Sequence, residues 1–276
     1  MASDAAVFAC LREEAKALED SELLGPAIRK HILGAKSLQD AIAAVIASRM
    51  ATTQFLEEEA LRKVCAEALK GDARPTRDLL AILERDPAAI STLQVITCLK
   101  GYHAVQAHRV AAALWKTGNF EKKHVALAIQ NRVSELFAVD VHPGATIGGG
   151  ILMDRATGVV IGETAVIGED CTILHGVTLG GTGKERGDRH PKIGDRVTLG
   201  AGATVLGNIK VGDGATVGSQ AVVTKDIPPG MTVVGLNKLL DPKQSRQKTL
   251  EGRNDTWQYE TEFEGYEYFG AVTRVG

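Results

Sequence analysis

The sequence lacks any excess of positive charge: 32 lysines and arginines face 34 aspartates and glutamates, and no block of like charge stands out. Binding of nucleic acid needs a basic surface that neutralises phosphates, so this balance argues against a nucleic-acid partner. A long apolar run is also lacking. The start, MASDAAVFACLREEAKALED, holds acidic residues and no apolar stretch of signal-peptide length. We therefore expect neither a secretion signal nor a membrane span.

Cysteine is scarce as well. Its four occurrences are scattered, without Cys-x-x-Cys spacing: Cys10, Cys65, Cys98 and Cys171. This argues against a disulfide framework and a structural zinc site, and it fits a reducing compartment. We predict a cytoplasmic protein, or an organellar one if a transit peptide has been removed. The length of 276 residues suits two domains, or one domain with a large appendage.

The first half of the chain, to about Phe137, is rich in alanine and leucine at helical spacing and predicts a helical bundle. SLQD, residues 37–40, has the form of a capping box that begins one helix. The pair Gly25-Pro26 is expected to break a helix. Asp86 followed by Pro87 predicts a further helix start with Asp86 as its N-cap. Apolar residues with helical spacing include Leu38, Ile42, Val45 and Ile46.

After Val139, glycine and β-branched residues dominate, and an aliphatic residue recurs at every sixth position. This period is typical of a parallel β-helix built from hexapeptides, with one buried aliphatic per strand and glycines at the corners. The predicted anchors are Val141, Ile147, Met153, Ile161, Ile167, Ile173, Leu179, Ile193, Leu199, Val205, Val211, Val217 and Val223.

Two places interrupt the period. One is MDRATGVV, residues 153–160, where successive anchors stand eight residues apart; the other is GGTGKERGDRHPK, residues 180–192. Insertions in a solenoid form loops on its outside and often build the binding face. Both are dense in Asp, Arg, His and Gly, so both are candidate sites.

Taken with the helical first half, these repeats and the motif GVTLGGTGKERGDRHPKIG (residues 176–194) resemble the serine O-acetyltransferases of the hexapeptide-repeat acyltransferase family. The likeness extends to about Gly235. It implies an α+β fold: an all-α domain (1–138) for oligomerisation and part of the serine site, a left-handed parallel β-helix acyltransferase domain (139–237), and a short C-terminal tail (238–276) that we expect to be flexible. It also implies trimers, paired into hexamers.

The resemblance implies transfer of acetyl from acetyl-CoA to the hydroxyl of L-serine, giving O-acetylserine for cysteine biosynthesis, with L-cysteine as feedback inhibitor. A serine hydroxyl needs a base to take its proton, and a carboxylate behind a histidine base orients the ring. The family's carboxylate falls on Asp140. Its substrate-binding residues fall on Asp86, Asp154, Arg189 and His190, and its acetyl-CoA groove on Gly181, Thr182, Ala201 and Ser219. No metal is expected.

One position departs from the family. Relatives read Asp-His-Ala-Thr-Gly where this chain reads Asp154-Arg155-Ala156-Thr157-Gly158, so arginine replaces the catalytic histidine. A guanidinium has no acceptor and cannot serve as a general base. Loss of a general base typically costs about 10²- to 10⁴-fold in rate.

Four hypotheses fit this arginine. The chain is a serine acetyltransferase whose residual activity uses another base, His175 or His142; or it is an inactive relative that binds acetyl-CoA or cysteine as a regulatory or structural subunit. A third hypothesis is a changed, acidic acceptor held by Arg155, itself paired with Asp140. The fourth is an engineered substitution.

An alternative from another enzyme class is a gamma-type carbonic anhydrase. Such an enzyme would need three zinc-binding histidines, and His142, His175 and His190 lack the matching spacing.

The C-terminus also departs from the family. Many relatives end in an isoleucine that inserts into O-acetylserine sulfhydrylase, whereas this chain ends in Val275 and Gly276. We therefore do not expect that complex. Residues 257–269 hold several of the few aromatic residues of the chain, which make up 4% of it.

Overall fold

The computed structural model describes residues 3–52, 55–184 and 186–240. Helices fill the N-terminal half and strands follow from Val139. The expected tail beyond residue 240, with its aromatic residues and its last two residues, lies outside the described residues. The helices are α1 (Asp4–Lys16), α2 (Gly25–Ile28), a π-helical turn (Arg29–Leu33), α3 (Leu38–Met50), α4 (Glu58–Ala68), α5 (Arg74–Arg85), α6 (Thr92–Cys98), α7 (Lys100–Lys116) and α8 (Phe120–Phe137).

The predicted capping box begins α3. Ser37 Oγ accepts from the amide of Asp40 at 3.1 Å, and Asp40 Oδ2 accepts from the amide of Lys36 at 2.9 Å. Two free amides at the helix start are thereby satisfied. The apolar residues predicted for this helix are all buried: Leu38, Ile42, Val45 and Ile46.

Two predicted helix boundaries are wrong. Gly25 and Pro26 begin α2 rather than interrupting a helix, because proline suits the first turn, where its missing N–H costs nothing. Asp86 lies at the C-cap of α5 and does not begin a helix. The next helix is α6, whose N-cap is Ser91, with its hydroxyl accepting from the amide of Gln94 at 3.0 Å.

The second half is a three-sided parallel β-helix of five coils. Its sheets have the strand orders β1-β4-β7-β10-β13, β2-β5-β8-β11 and β3-β6-β9-β12-β14-β15. The strands are β1 (Val139–Val141), β2 (Thr146–Ile147), β3 (Leu152–Met153), β4 (Val159–Ile161), β5 (Val166–Ile167), β6 (Thr172–Ile173), β7 (Thr178–Gly180), β8 (Lys192–Ile193), β9 (Thr198–Leu199), β10 (Thr204–Leu206), β11 (Lys210–Val211), β12 (Thr216–Val217), β13 (Val222–Val223), β14 (Thr232–Val234) and β15 (Lys238–Leu240).

All the predicted anchors are buried in the solenoid core. They stack coil on coil: Val141 pairs in register with Ile161, and Leu179 with Val205. Each such burial contributes about 1.5–3 kcal/mol. Small or β-branched residues two positions before the anchors are buried too, among them Ala145, Cys171, Val177, Ala203 and Ala215.

Three features join the halves and close the solenoid. Helices α5 and α7 contact β3, so the helical layer covers one face of the first coils. The chain passes from α8 into β1 through Ala138, whose left-handed conformation (φ 54°) ends the helix. At the far end β15 pairs antiparallel with β14, so residues 238–240 extend the third sheet.

Candidate active site

The first break in the six-residue period forms a strained corner between β3 and β4. Arg155 (φ 56°), Ala156 (φ 57°) and Gly158 (φ 79°) have left-handed conformations. The amide of Ala156 donates to the carbonyl of Asp154, and that of Thr157 to the carbonyl of Arg155, both at 2.6 Å. A left-handed non-glycine residue costs about 1–2 kcal/mol, so neighbouring contacts must hold this corner in place.

The first turn of α7 supplies such contacts at both ends of the corner. A Cβ at Gly101 would overlap the carbonyl oxygen of Met153, so only glycine lets the helix approach this closely. Beside it, Lys100 Nζ donates to Thr157 Oγ1. Helix α7 therefore contacts the residue before Asp154 and the residue near the end of the corner.

Arg155 points away from the core. Its side chain is 72% exposed, that of Asp154 is 30% exposed, and Arg155 Nε lies 3.5 Å from Asp154 Oδ1. Asp140, on β1, instead accepts from Gln130 Nε2 of α8 at 2.6 Å. Within the part of the chain that the structure describes, Arg155 forms no ion pair with Asp140. The prediction of this pair, made under the acidic-acceptor hypothesis, is therefore wrong.

The second break, residues 180–192, follows β7 and ends in a polar cluster. Arg189 Nη2 lies 2.9 Å from Glu163 Oε2, and its Nη1 donates to the carbonyl of Gly187 at 3.0 Å. The hydrogen bond from Arg189 lowers the pKa of the Glu163 carboxyl. His190 is buried beside them, and Thr164 Oγ1 lies 2.8 Å from its Nδ1.

The two other histidines of the solenoid differ in their contacts. His142 Nδ1 accepts from the amide of Gly144 at 2.9 Å, and its ring lies edge-on to Trp115 at 4.9 Å between centroids. Burial lowers the pKa of His142. The side chain of His175 is exposed, and no hydrogen bond or ion pair of its ring occurs among the described residues.

His175 belongs to a column of corner residues that stack along the solenoid. The carbonyl of Thr157 accepts from Gly176, that of His175 from Gly202, and that of Ala201 from Gln220, each at 2.8 Å. The corner residue of each coil thus lies next to the corner residue of the preceding coil. The column is Thr157, His175, Ala201 and Ser219.

The predicted site residues fall at both edges of one sheet. Asp154 and Arg155, with Ala201 and Ser219, lie at the corner that precedes its strands, whereas Gly181, Thr182, Arg189 and His190 follow β7. A Cβ at Gly181 would lie 3.6 Å from His190 Nε2, so these two residues are neighbours. In the described ranges no hydrogen bond or ion pair joins the two groups.

Asp86 lies apart from both groups, in the helical layer. Its Oδ1 accepts from the amide of Ala88 at 2.9 Å, which caps the turn after α5.

No cluster of three or more His, Cys, Asp or Glu side chains able to hold a metal occurs in the described part of the chain. Of its helices, none is long and apolar enough to cross a membrane.

Sequence reasoning missed four residues around these groups: Lys100, Gly101, Gln130 and Thr164. Lys100 and Gly101 come from α7, more than 50 residues before the corner, and Gln130 comes from α8, directly before β1, so the six-residue period of the solenoid includes none of them. Thr164 had a possible signal, because it follows an anchor-glycine pair in IGET, residues 161–164, where the other coils also place turn residues.

Comparison with known proteins agrees with this architecture. Residues 7–107 match the family described as serine acetyltransferase, N-terminal, and residues 190–225 match bacterial transferase hexapeptide (six repeats). Serine acetyltransferase 2 of Arabidopsis thaliana is 46% identical over 254 residues, which cover 90% of this chain and 78% of that protein.

Solved structures of similar proteins have the same fold. The serine acetyltransferase of Neisseria gonorrhoeae in complex with serine has a TM-score of 0.79 and 42% identity, covering 83% of this chain and 95% of that one. The enzyme of Brucella abortus strain S19 with coenzyme A has a TM-score of 0.80 and 39% identity, covering 85% and 94%. With this likeness over nearly the whole described length, the chain belongs to the serine acetyltransferase family.

Proposed function

We propose that this chain binds L-serine and acetyl-CoA and transfers the acetyl group to the serine hydroxyl. The serine oxygen attacks the thioester carbon, the carbon–sulfur bond breaks, and the proton of the hydroxyl leaves to a base while CoA departs as the thiol. Two similar proteins support this proposal, since one was solved with serine and another with coenzyme A. The products are O-acetylserine and free CoA.

Each proposed ligand takes residues from both groups. We assign L-serine to Asp86, Asp154, Arg189 and His190, with Asp140 as the orienting carboxylate. Acetyl-CoA would lie along Gly181, Thr182, Ala201 and Ser219, where small side chains let the pantetheine arm approach the backbone. Because these residues lie at both edges of one sheet, we infer that a complete site forms between copies in a homotrimer or a dimer of trimers.

The exposed Arg155 side chain determines the rate of acetyl transfer that we expect. Its guanidinium lies 3.5 Å from Asp154, at the position where the family resemblance implies a catalytic histidine. Arginine cannot accept the serine proton, so we expect turnover to be slow even when both substrates bind. Restoring a histidine should raise turnover by about 10²- to 10⁴-fold.

The test is release of free CoA from acetyl-CoA with L-serine, comparing the natural chain with Arg155→His. A matched control is Arg196→His, because Arg196 is also an exposed arginine with a left-handed backbone (φ 54°) at a corner outside the site. We expect the gain at residue 155 alone. If Arg155→His binds both ligands but stays silent, the chain is a regulatory or structural subunit, the alternative function.

Three further expectations stay predictions of the sequence. They are inhibition by L-cysteine, a cytoplasmic or organellar location, and the absence of a complex with O-acetylserine sulfhydrylase. Inhibition by cysteine would follow from occupation of the serine site, so calorimetric titration of cysteine in the presence of serine tests it together with the proposed binding residues.

A further inference from the structure

The hydroxyl of Thr164 uses its full hydrogen-bonding capacity on the end of the second break. Oγ1 accepts from the amide of Arg189 at 3.0 Å and from the amide of His190 at 3.1 Å. It also lies 2.8 Å from His190 Nδ1, and its one proton can point there or to the carboxylate of Asp188. The hydroxyl thereby fixes the backbone of Arg189 and His190 and contacts the His190 ring.

A second donor decides the protonation of the ring. The backbone amide of Thr164 donates to His190 Nδ1 at 3.1 Å. Because an amide N–H can only donate, Nδ1 must hold a lone pair, and in a neutral imidazole the proton then resides on Nε2. Burial of the ring, aided by the neighbouring cations Arg189 and Lys192, lowers the pKa of His190 and favours this neutral form.

Gly162 opens the space that the ring occupies. A Cβ at Gly162 would overlap Nε2 and the neighbouring ring carbons of His190. A Cβ at Gly181 would only make ordinary contact with Nε2, at 3.6 Å, so that position does not require glycine. Gly162 therefore lets the ring approach the backbone with its Nε2–H edge next to it, and any larger residue at position 162 would displace the ring.

We propose that Thr164 is a positioning residue that holds His190 as a neutral Nε2–H donor toward the substrate carboxylate, which the family resemblance already implies that His190 binds. The inference rests on the proposed function, in which His190 binds serine. It adds two statements about the site. His190 cannot be the general base, because its Nε2 carries the proton, and recognition of the carboxylate is a directed hydrogen bond rather than a second positive charge.

The charges around the cluster support a directional role. Arg189 is already paired with Glu163 at 2.9 Å, so its positive charge is partly neutralised before a substrate arrives. A neutral donor next to it contributes specificity through geometry, because a hydrogen bond weakens steeply as it departs from linearity. Rotation of the ring would therefore weaken serine binding even with every side chain of the site present.

The first experiment measures the tautomer directly. Nitrogen-15 NMR of the full chain, with His190 assigned through a His190→Gln variant, should show a neutral ring with its proton on Nε2 at neutral pH. Thr164→Ser and Thr164→Val both keep the backbone amide that donates to Nδ1, so both should retain this tautomer, and the loss of the hydroxyl in Thr164→Val should appear in serine binding instead. A ring that is charged, or protonated on Nδ1, in the natural chain overturns the inference.

The second experiment measures serine binding by calorimetry, which does not depend on turnover. Thr164→Val should weaken binding about 10-fold or more, the loss expected for a misaligned hydrogen bond, and Thr164→Ser should rescue it. Thr216→Val, on the outer face of β12, is the matched control and should bind as the natural chain does. Unchanged binding by Thr164→Val overturns the role of Thr164. Absence of serine binding by the natural chain refutes the proposed function, while the tautomer measurement still decides the state of His190.

Discussion

At the residue scale, the solenoid histidines differ in whether they can accept a proton. His142 Nδ1 already accepts from the amide of Gly144 at 2.9 Å, so the neutral ring carries its proton on Nε2 and has no free lone pair. His190 is in the same state. His175 is exposed, stacks between Thr157 and Ala201 in the corner column, and has no ring partner within the described ranges. Of the three solenoid histidines, His175 is therefore our candidate for a residual general base.

This assignment predicts different effects of two matched substitutions. His175→Gln should lower the residual release of CoA about 10-fold or more, because loss of a general base removes a large rate factor. His142→Gln should leave the rate within about a factor of two, unless binding changes. The measurement is kcat for each variant across a pH series. A greater loss in His142→Gln would contradict the assignment.

Residues of the candidate site were only partly predictable from sequence. The break at residues 153–160 was visible as an irregular period, and Arg155 is exposed there as expected. The partner of Arg155 was not predictable, because the choice between Asp154 and Asp140 depends on the path of a strained corner and on the contact of Asp140 with Gln130 of α8. Local spacing contains no information on such contacts.

At the element scale, α7 acts as a support for the strained corner. Its first turn contacts Met153 through Gly101 and Thr157 through Lys100. Between these two contacts lies Asp154, a proposed serine-binding residue. A displacement of the helix should therefore move the carboxylate without touching the substrate.

Gly101→Ala tests this support. The added Cβ must displace the Met153 carbonyl or the helix, so we expect serine affinity to fall about 10-fold, with acetyl-CoA affinity changed less. Lys100→Met should cause a smaller loss in the same direction. Lys116→Met, at the other end of the same helix, is the control and should have no effect. Calorimetric titrations with each ligand measure both affinities, and circular dichroism checks that each variant folds. Equal losses for serine and acetyl-CoA would contradict a role specific to Asp154.

The elements themselves were predicted unequally well. The solenoid strands were predictable because one buried aliphatic per strand leaves a period that is visible in sequence. The helix start at Asp86 was predicted wrongly, because Asp followed by Pro suits either end of a helix: proline begins a helix readily but also commonly follows a C-cap. The serine cap at residue 91 decides between them, since its hydroxyl binds the amide of Gln94.

At the scale of the whole molecule, a buried ion pair joins the helical layer to the solenoid. Asp78 of α5 accepts from Arg109 Nη2 of α7 at 2.6 Å, and from the amide of Ile151 at 2.9 Å. Arg109 in turn donates to the carbonyls of Ile147 at 3.2 Å and Gly148 at 2.8 Å. Both charged side chains are 1% exposed. The pair thus connects two helices with the first coil.

A second pair at the same interface offers a matched comparison. Arg77 Nη2 lies 3.2 Å from Asp170 Oδ1, and the Asp170 side chain is 48% exposed. Asp78→Asn should lower the free energy of unfolding by about 3–5 kcal/mol, because it leaves the Arg109 charge buried without a counter-charge. Asp170→Asn should cost about 0–1 kcal/mol, since water screens an exposed pair. Urea unfolding followed by circular dichroism measures both values. If the two variants lose equally little stability, the buried pair does not hold the layers together, and the position of α7 against the strained corner must depend on its other contacts, such as those of Lys100 and Gly101.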